Sequence, residues 1–422
     1  MSETPDQNTT GVADTIRTAQ QLEIERKAAR LLLEPGVQTA IGDIGAQWVQ
    51  SRQPGSELQA LFEREFGQIA CCSAINVFNA DPVHPMVHAF CRFEHETDGL
   101  RVPGTKSGSP CPDYVYRFIP VDAENHYAVR GWWPTHGPAA FEFGVIDVKQ
   151  VYQGTVSAHQ LVLDSQGRFC ITIDPEPANG RPNHIQTRPG ACQVIVRDVL
   201  GDVARDRPCA LEVERTGPGP ARSVLAFDPV QRFRAELRKF IDDLEGALAF
   251  TVNGREINHF TSPAFNDDGT YLVTQAYCPG RYALRDGQAL VFHLGLGNAA
   301  YGVIPVTNAW GGIGDFLSHT STLGTGRALP NPDGSYSFVL SLEDPGVHNW
   351  IDPGGLHEGV IYARWAGFDP RLASRGRPFL SAQLVDLDRV RGVLSPGCPM
   401  ISSTERSGQI ALHRAAYLTA MG

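Results

Sequence analysis

The stretch from Asn349 to Trp365 holds the densest group of side chains able to do chemistry in this sequence. His357 lies inside it, and an ordinary histidine titrates close to neutral pH, so we predict that His357 is a general acid/base. Asn349 and Asp352 could equally belong to a tight structural corner, because Asn, Asp and Gly are the residues such turns need. Four residues are predicted to bind, orient or charge-stabilise a substrate: Asn349, Trp350, Asp352 and Arg364. We count Arg364 among the catalytic candidates, with pairing to Asp352 as its structural alternative.

A second polar group, Asp113, Tyr114, Tyr116 and Arg117, enters a run of strand-like sequence. In a strand the two tyrosines share one face, while Asp113 and Arg117 point to the other. A carboxylate beside an arginine stays ionised, and a neighbouring tyrosine can donate or accept a proton. We therefore predict that Asp113 and Tyr116 are catalytic and that Tyr114 and Arg117 bind substrate. A turn-capping aspartate with an ordinary cross-strand arginine is the alternative.

His319 is another acid/base candidate, because it follows a polar, glycine-rich stretch. Asn308 and Trp310 lie in that stretch and are predicted to contact substrate. The glycines there are not a phosphate-binding loop, since no lysine follows them.

A metal site is the third chemical interpretation, based on His84, His88, Cys91 and His95. On a helix these zinc-type ligands would share one face. Two nearby prolines and an alternating apolar pattern favour an extended segment instead, which would scatter the ligands. We predict no metal and no cofactor, and keep a histidine-ligated metalloenzyme as an alternative.

Composition limits the partners of the chain. It has 422 residues, and 36 basic and 46 acidic side chains give a formal charge of 36 − 46 = −10, which argues against a nucleic-acid partner. No stretch approaches the roughly 18 apolar residues of a membrane span, and no signal peptide is evident. Nine cysteines without a CxxC pair suggest reduced thiols. We therefore expect a cytoplasmic protein with a small-molecule substrate and no membrane partner; a homo-oligomer stays open.

The elements that must position these residues follow from periodicity and turn signals. Apolar residues at three- to four-residue spacing predict helices early in the chain, whereas short β-branched and aromatic runs between turns predict antiparallel strands after Pro103. Asp228 followed by Pro229 is a typical helix start. The predicted segments are a disordered tail (1–12), a helical region (13–102), a first β-sandwich (103–227), a connecting helix (228–249), a second β-sandwich (250–369) and a C-terminal tail with a helix (370–422).

The two β regions resemble each other, which predicts a duplication. Landmarks recur in the same order: residues 126–130 and 281–285, 139–141 and 299–301, the turns at Gly167 and Gly334, and the Asn-x-Ile segments at Asn183 and Asn349. The predicted fold is therefore mainly β with helices (α+β), with two duplicated antiparallel β-sandwich or jelly-roll-like domains joined by a helix. Packed together, two sandwiches offer a cleft, where we expect Asp113, Tyr116, His357 and Arg364 to converge.

Three stretches carry a resemblance to a known family: CysProAspTyrValTyrArg from 111, TyrGlyValIleProValThrAsn from 301, and ProGlyValHisAsnTrpIleAsp from 345. Over about residues 110–422 the chain resembles the bacterial family called domain of unknown function 1214. Cys111 departs from its pattern, which usually has Asn there. The resemblance implies a two-part β-sandwich and no settled reaction.

The function predicted from these residues is a cofactor-independent enzyme, of lyase, hydratase or hydrolase type, doing acid/base chemistry on a hydrophobic or aromatic small molecule. The alternative is a non-catalytic carbohydrate- or ligand-binding protein that uses Trp310, Trp350 and Trp365 as stacking platforms.

Overall fold

The fold is known from a computed structural model that describes residues 15–90, 92–106, 108, 110–217, 228–265, 272–369, 371–372 and 376–421. It confirms the predicted mainly β, α+β fold with a helical N-terminal region and two β-sandwiches joined by a helix. The predicted tail at 1–12 and Cys91 lie outside the described residues.

The helices each bury part of their surface against the rest of the fold, and some of them begin at a side-chain cap. The longer helices are α1 (Ala19–Leu32), α2 (Pro35–Arg52), α3 (Ser56–Phe78), α4 (Pro229–Val252) and α6 (Ser403–Met421), and α5 (Val390–Val393) is a single turn. Asp228 caps α4 as predicted, since its side chain accepts hydrogen bonds from the backbone N–H groups of Val230 and Gln231. The connecting helix α4 packs on α2 and α3, so the helical region and the connector share one apolar core. Within the described residues, no helix is long and apolar enough to cross a membrane.

The first sandwich begins with a short strand taken from the region predicted to be helical. Its strands are β1 (His88–Phe90), β4 (Tyr114–Pro120), β5 (Tyr127–Trp132), β6 (Ala140–Asp147), β7 (Tyr152–Ser157), β8 (Arg168–Asp174), β9 (His184–Gln186), β10 (Ala191–Val199) and β11 (Ala210–Arg215); β2 (His95–Thr97) and β3 (Leu100–Val102) form a separate hairpin. One sheet has the order β1-β4-β10-β6-β7 and the other β11-β5-β8-β9.

The second sandwich repeats this arrangement. Its strands are β12 (Ala264–Phe265), β13 (Gln275–Ala283), β14 (Gln288–Gly295), β15 (Tyr301–Thr307), β16 (Thr322–Gly324), β17 (Tyr336–Ser341), β18 (Trp350–Ile351), β19 (Glu358–Ala366) and β20 (Phe379–Asp386). The sheets have the orders β12-β13-β19-β15-β16 and β18-β17-β14-β20, which match the first sandwich strand for strand. Each sandwich also has a parallel strand pair at the same place, β8 with β9 in the first and β17 with β18 in the second.

One of the sequence landmarks does not mark equivalent positions. Residues 126–130 lead into and form the start of β5, whereas 281–285 lie at the end of β13 and just after it, and β5 corresponds to β14. That pairing was wrong because a Tyr-Ala-apolar-Arg run is ordinary strand sequence and carries no register. The other landmarks do fall on equivalent turns and strands. The last strand, β20, lies beyond residue 369, where the sequence placed the end of the second sandwich.

The five-stranded sheets of the two sandwiches face each other. Side chains from β4, β15 and β19 form one buried apolar cluster, so the domains share an extensive packed interface. The terminal helix α6 then lies against this junction. Its start has the predicted capping box, in which the Ser402 backbone N–H donates to Glu405 at 2.9 Å and the Glu405 N–H donates to the Ser402 hydroxyl at 3.3 Å.

Candidate functional site

The domain interface brings together several of the residues predicted to be catalytic. Arg364 on β19 donates from Nη1 to the hydroxyl of Tyr116 on β4, at 2.8 Å. Its guanidinium also lies over the rings of Tyr114 and Tyr362, at 5.7 and 5.2 Å. The rings of Tyr114 and Tyr116 lie 5.7 Å apart on one face of β4, as the strand periodicity predicts.

Asp113 lies at one end of the same interface in a buried network. Its carboxylate accepts hydrogen bonds from the hydroxyls of Tyr301 and Tyr417, and Arg327 donates to it from Nη2 at 3.0 Å. Burial, followed by the negative charge of Asp113, raises the pKa values of both tyrosines well above their ordinary range. Tyr417 feels the opposing charge of Arg327 as well, yet its pKa is still raised. Both phenols are therefore neutral donors that hold the carboxylate in place.

This network leaves little space for a substrate. Asp113 and Tyr114 are each 1% exposed, and Tyr116 and Arg364 are 6% and 7% exposed. The walls of the two cavities described below include none of these four side chains. Their contacts hold the two sandwiches together and position the surrounding strands.

Arg117 lies on the other face of β4, inside the first sandwich. It forms a buried ion pair with Asp198 on β10, and the Cys209 backbone N–H donates to the same carboxylate at 2.9 Å. A pair enclosed in this way fixes one sandwich internally and is out of reach of a substrate.

His357 lies apart from the interface, on the surface. Its Nδ1 is 2.7 Å from Glu57 and its Nε2 is 3.0 Å from Asp286, so both ring nitrogens contact carboxylates. The hydrogen bonds to Asp286 and Glu57 raise the pKa of His357, which favours a charged imidazolium bridging two acids. The structure thus separates His357 from Asp113, Tyr116 and Arg364.

His319 has a different environment. Its Nδ1 lies 2.7 Å from Oδ2 of Asp352, and no hydrogen bond from a described residue reaches its Nε2. The side chain is 39% exposed, whereas that of Asp352 is 12% exposed. A carboxylate at Nδ1 fixes the tautomer in which Nε2 carries a lone pair. This pair is called the His319–Asp352 dyad below.

The backbone around the dyad explains its geometry. Asp352 follows the short strand β18, and its Oδ1 accepts the N–H of Gly354 at 2.9 Å, which fixes the carboxylate. Gly354 has φ +65° and passes close to the His319 ring; a Cβ atom there would lie 3.6 Å from the ring. His319 is held in turn by a backbone hydrogen bond to Asp315 at 3.1 Å. The Asn, Asp and Gly residues read from the sequence thus form a tight corner that also orients a histidine.

His319 of the dyad lines a small cleft between helix α3 and loops of the second sandwich. The cleft has a volume of about 80 Å³. Polar groups from both sides reach it, and its remaining wall is mainly apolar. Its lining residues are Leu61, Arg64, Ile313, Gly314, Asp315, His319, Ser321, Pro353, Gly354 and Leu356.

Asn308 and Trp310 join the helical region to the second sandwich. The Asn308 amide donates to Glu65 on α3 at 3.2 Å, and the Trp310 indole donates to the Leu58 carbonyl at 2.7 Å. Lys106 forms a buried ion pair with Glu65 at 2.7 Å and donates to the Trp310 carbonyl at 3.1 Å. These residues position α3, which forms one wall of the cleft.

Asn349 and the tryptophans also lie in the interior. The Asn349 side chain bonds to both backbone groups of Leu329, at 2.9 and 2.8 Å. Trp310 and Trp365 are fully buried and Trp350 is 8% exposed, so a sugar ring has no indole face to stack on. The predicted stacking platforms are therefore core residues.

The histidines considered as metal ligands diverge. His84 is exposed, His88 is buried against Asn79 at 2.6 Å, and His95 contacts Glu25 at 3.0 Å. Across the described part of the chain, no three His, Cys, Asp or Glu side chains are arranged to hold a metal ion.

Sequence reasoning missed Arg327, Tyr301, His413 and Tyr417. His413 and Tyr417 are four residues apart on a helix that the sequence does predict, so they share a face. That spacing could have drawn attention to them. Arg327 and Tyr301 lie in ordinary strand and turn sequence, and only the packing of the second sandwich on the first brings them to Asp113.

No protein-family model matches the chain, and no curated protein matches it. Two solved structures are similar to it to different degrees. An uncharacterised protein from Burkholderia cenocepacia is 20% identical, with a TM-score of 0.62 over 90% of this chain and 98% of that one. The VPA0106 protein from Vibrio parahaemolyticus is 10% identical, with a TM-score of 0.34 over 65% of this chain and 90% of that one. The first likeness shows the fold alone, and the family resemblance read from the sequence stays a prediction.

Proposed function

We propose that this protein is a cofactor-independent enzyme doing acid/base chemistry on a small molecule, and that His319 is the acid/base. The observation that carries the proposal is the 2.7 Å contact between Nδ1 of His319 and Oδ2 of Asp352. The carboxylate stabilises the imidazolium that forms when Nε2 accepts a proton. The same Nε2 can then return the proton to a leaving group, which suits a hydrolase, hydratase or lyase.

The choice of His319 over His357 rests on which ring nitrogen is available. Both nitrogens of His357 contact carboxylates, so a substrate would have to displace one of them. His319 lines the cleft and has its orienting carboxylate at Nδ1, and no hydrogen bond from a described residue reaches its Nε2. A general base needs a nitrogen that can reach a substrate proton, and this arrangement favours His319 over His357 for that role.

The walls of the cleft favour a substrate with an apolar part and a polar group. Leu61, Ile313 and Leu356 supply apolar surface, whereas Arg64, which pairs with Glu65 at 3.2 Å, and Asp315 supply polar groups. Since the cleft is small, it would hold the reacting group while the rest of the molecule extends outward. This supports the hydrophobic or aromatic substrate predicted from the sequence.

The test compares the wild type with His319→Gln and Asp352→Asn on a panel of small esters, amides and unsaturated acids. We expect His319→Gln to lower turnover about 10²- to 10⁴-fold, the usual contribution of a general acid/base. Asp352→Asn should lower kcat, because the amide no longer holds and charge-stabilises the imidazole ring. His126→Gln is the matched control, since His126 pairs with Glu176 at 3.2 Å on the opposite sandwich.

Chemical modification gives a second measurement that needs no substrate. Diethyl pyrocarbonate acylates accessible imidazole rings, so it should modify His319. The Asp352→Asn variant should change the rate at which His319 is modified. Turnover that survives in His319→Gln at the wild-type level would contradict the proposal.

A further inference from the structure

A larger cavity lies between helix α6 and the turn after β16. Its volume is about 500 Å³, within the range of roughly 300–1,000 Å³ that holds small-molecule ligands. Thr320 contributes to this cavity, whereas its neighbours His319 and Ser321 line the dyad cleft. The two sites therefore lie on opposite sides of one extended segment.

The wall formed by α6 is fixed at two points. Near the start of the helix, Arg406 is 4% exposed and pairs with Asp344 at 2.9 Å, and it also donates to the His348 carbonyl at 3.1 Å. About three turns further on, Tyr417 is fully buried and donates to Asp113. A helix anchored in this way cannot move inward to fill the space, so the cavity is built into the fold.

The cavity lining is apolar over most of its area. Leu323 comes from β16, and Leu412, Ala415 and Ala416 lie on one face of α6, since the two alanines follow Leu412 by three and four residues. Such a surface favours a ligand with an apolar body, because covering it removes apolar area from water.

Arg327 and His413, two of the basic side chains that line the cavity, are already bound to other groups. Arg327 donates to Asp113 at 3.0 Å and to Nδ1 of His413 at 2.6 Å. His413 donates from Nε2 to the Phe316 carbonyl at 2.5 Å, so neither of its ring nitrogens is left for a ligand. An anion would therefore find no uncommitted cationic donor among these two residues.

Two of the residues that line the cavity carry hydrogen-bond acceptors. The buried hydroxyl of Thr320 donates its proton to the Trp350 carbonyl at 2.8 Å, so its oxygen keeps a lone pair. Asp202 lines the cavity as well and brings a carboxylate. A ligand group that donates a hydrogen bond fits these acceptors, whereas a carboxylate or phosphate is repelled.

We propose that this cavity binds a small neutral alcohol or phenol with an apolar body. The hydroxyl group donates to the acceptors near Thr320 and Asp202, and the body lies against Leu323 and the small side chains of α6. This site is independent of the His319–Asp352 dyad, so either proposal can fail without the other.

The test titrates the full-length protein with benzyl alcohol, and with benzoate as the charged analogue, by NMR and by thermal denaturation. We expect saturable millimolar binding of benzyl alcohol, and binding of benzoate weaker by about tenfold or more. Ala415→Trp places a large ring over the cavity and should weaken benzyl alcohol binding at least about tenfold. Ala411→Trp is the matched control, because Ala411 is an exposed alanine of the same helix outside the lining.

A second variant probes the polar contact. Thr320→Val keeps the side-chain shape and removes the hydroxyl, so benzyl alcohol should bind several-fold more weakly while the fold persists. No saturable benzyl alcohol binding to the wild type, equal binding to Ala415→Trp, or benzoate binding as tight as that of the alcohol would each overturn the proposal.

Discussion

Nη1 of Arg364 lies 2.8 Å from the hydroxyl oxygen of Tyr116, and this contact joins β19 of the second sandwich to β4 of the first. Arg364 pairs in register with Tyr277, and Arg197 pairs in register with Tyr116 at the equivalent place in the first sandwich. Each repeat therefore supplies one arginine and one tyrosine at the same position of its five-stranded sheet. The interface uses these equivalent residues twice, as a duplicated fold would if its copies pack face to face.

The Asp113 network is expected to be a main source of stability at this interface. Asp113→Asn removes the charge that compensates Arg327, and an uncompensated buried charge costs about 3–5 kcal/mol. Tyr417→Phe removes one hydrogen bond to the carboxylate and should cost about 1–2 kcal/mol. Urea unfolding gives both values, and the half-buried Tyr336→Phe serves as the control. Equal stability of Asp113→Asn and the wild type would show that the network carries no net energy.

Glu142 is expected to make the protein less stable as the pH rises. Burial raises the pKa of Glu142 from 4.5 to about 8 beside Thr274 of the second sandwich. Between those pH values the folded state holds a proton that the unfolded state has lost, so the free energy of unfolding falls as the pH rises toward 8. At about 1.4 kcal/mol per unit, the loss over this pH range is about 5 kcal/mol.

Glu142→Gln should remove this dependence. The amide stays neutral at every pH, so the variant should match the wild type near pH 5 and exceed it near pH 8. Thermal unfolding at both pH values measures the difference. Parallel pH profiles for the two proteins would contradict the assignment.

The sequence predicts the fold better than it predicts the site, for a physical reason. Strand and helix signals are local, so the Asp228 cap, the Ser402–Glu405 box and the repeated turns at Gly167 and Gly334 could be read directly. A site depends on which distant residues meet. His319 and Asp352 were both named from the sequence, yet nothing in their spacing says that one orients the other.

The same limit explains the placement of His357. Its residue type and its polar neighbours predicted a general acid/base. Glu57, 300 positions earlier in the chain, forms a hydrogen bond with its Nδ1 instead. Arg327 and Tyr417 were missed for a similar reason, because Asp113, the partner that they share, is more than 200 residues away from each of them.

His413 is expected to weaken the fold in acid. Burial and the nearby charge of Arg327 lower its pKa from 6.5 to about 4. Between those values the unfolded chain binds a proton that the folded state excludes, so the free energy of unfolding falls as the pH drops below about 6.5. His88, buried with a pKa lowered to about 3, adds to the same trend. His413→Gln should reduce the loss of unfolding free energy between pH 7 and pH 4.5, which urea unfolding at both pH values measures. An unchanged loss would assign the effect to other groups.

The ion pair of Lys106 with Glu65 is expected to hold helix α3 in its place beside the dyad. Both side chains are at most 3% exposed and lie 2.7 Å apart. Burial lowers the pKa of Lys106, against the opposing charge of Glu65. For Glu65, burial raises the pKa, but the charge and hydrogen bond of Lys106 outweigh it and the pKa is lowered. Lys106→Met leaves the carboxylate of Glu65 without its main partner, which should cost about 3–5 kcal/mol of unfolding free energy.

A double-mutant cycle separates the pair from simple loss of packing. Because Lys106→Met/Glu65→Leu removes both charges, it should be more stable than Lys106→Met alone, and the two single effects should fail to add. Since Leu61 and Arg64 of α3 line the cleft of His319, the single variant should also raise the KM of any substrate more than it lowers kcat. Additive effects in the cycle would mean that the pair contributes only packing. A fall in kcat at constant KM would mean that α3 does not help to bind the substrate.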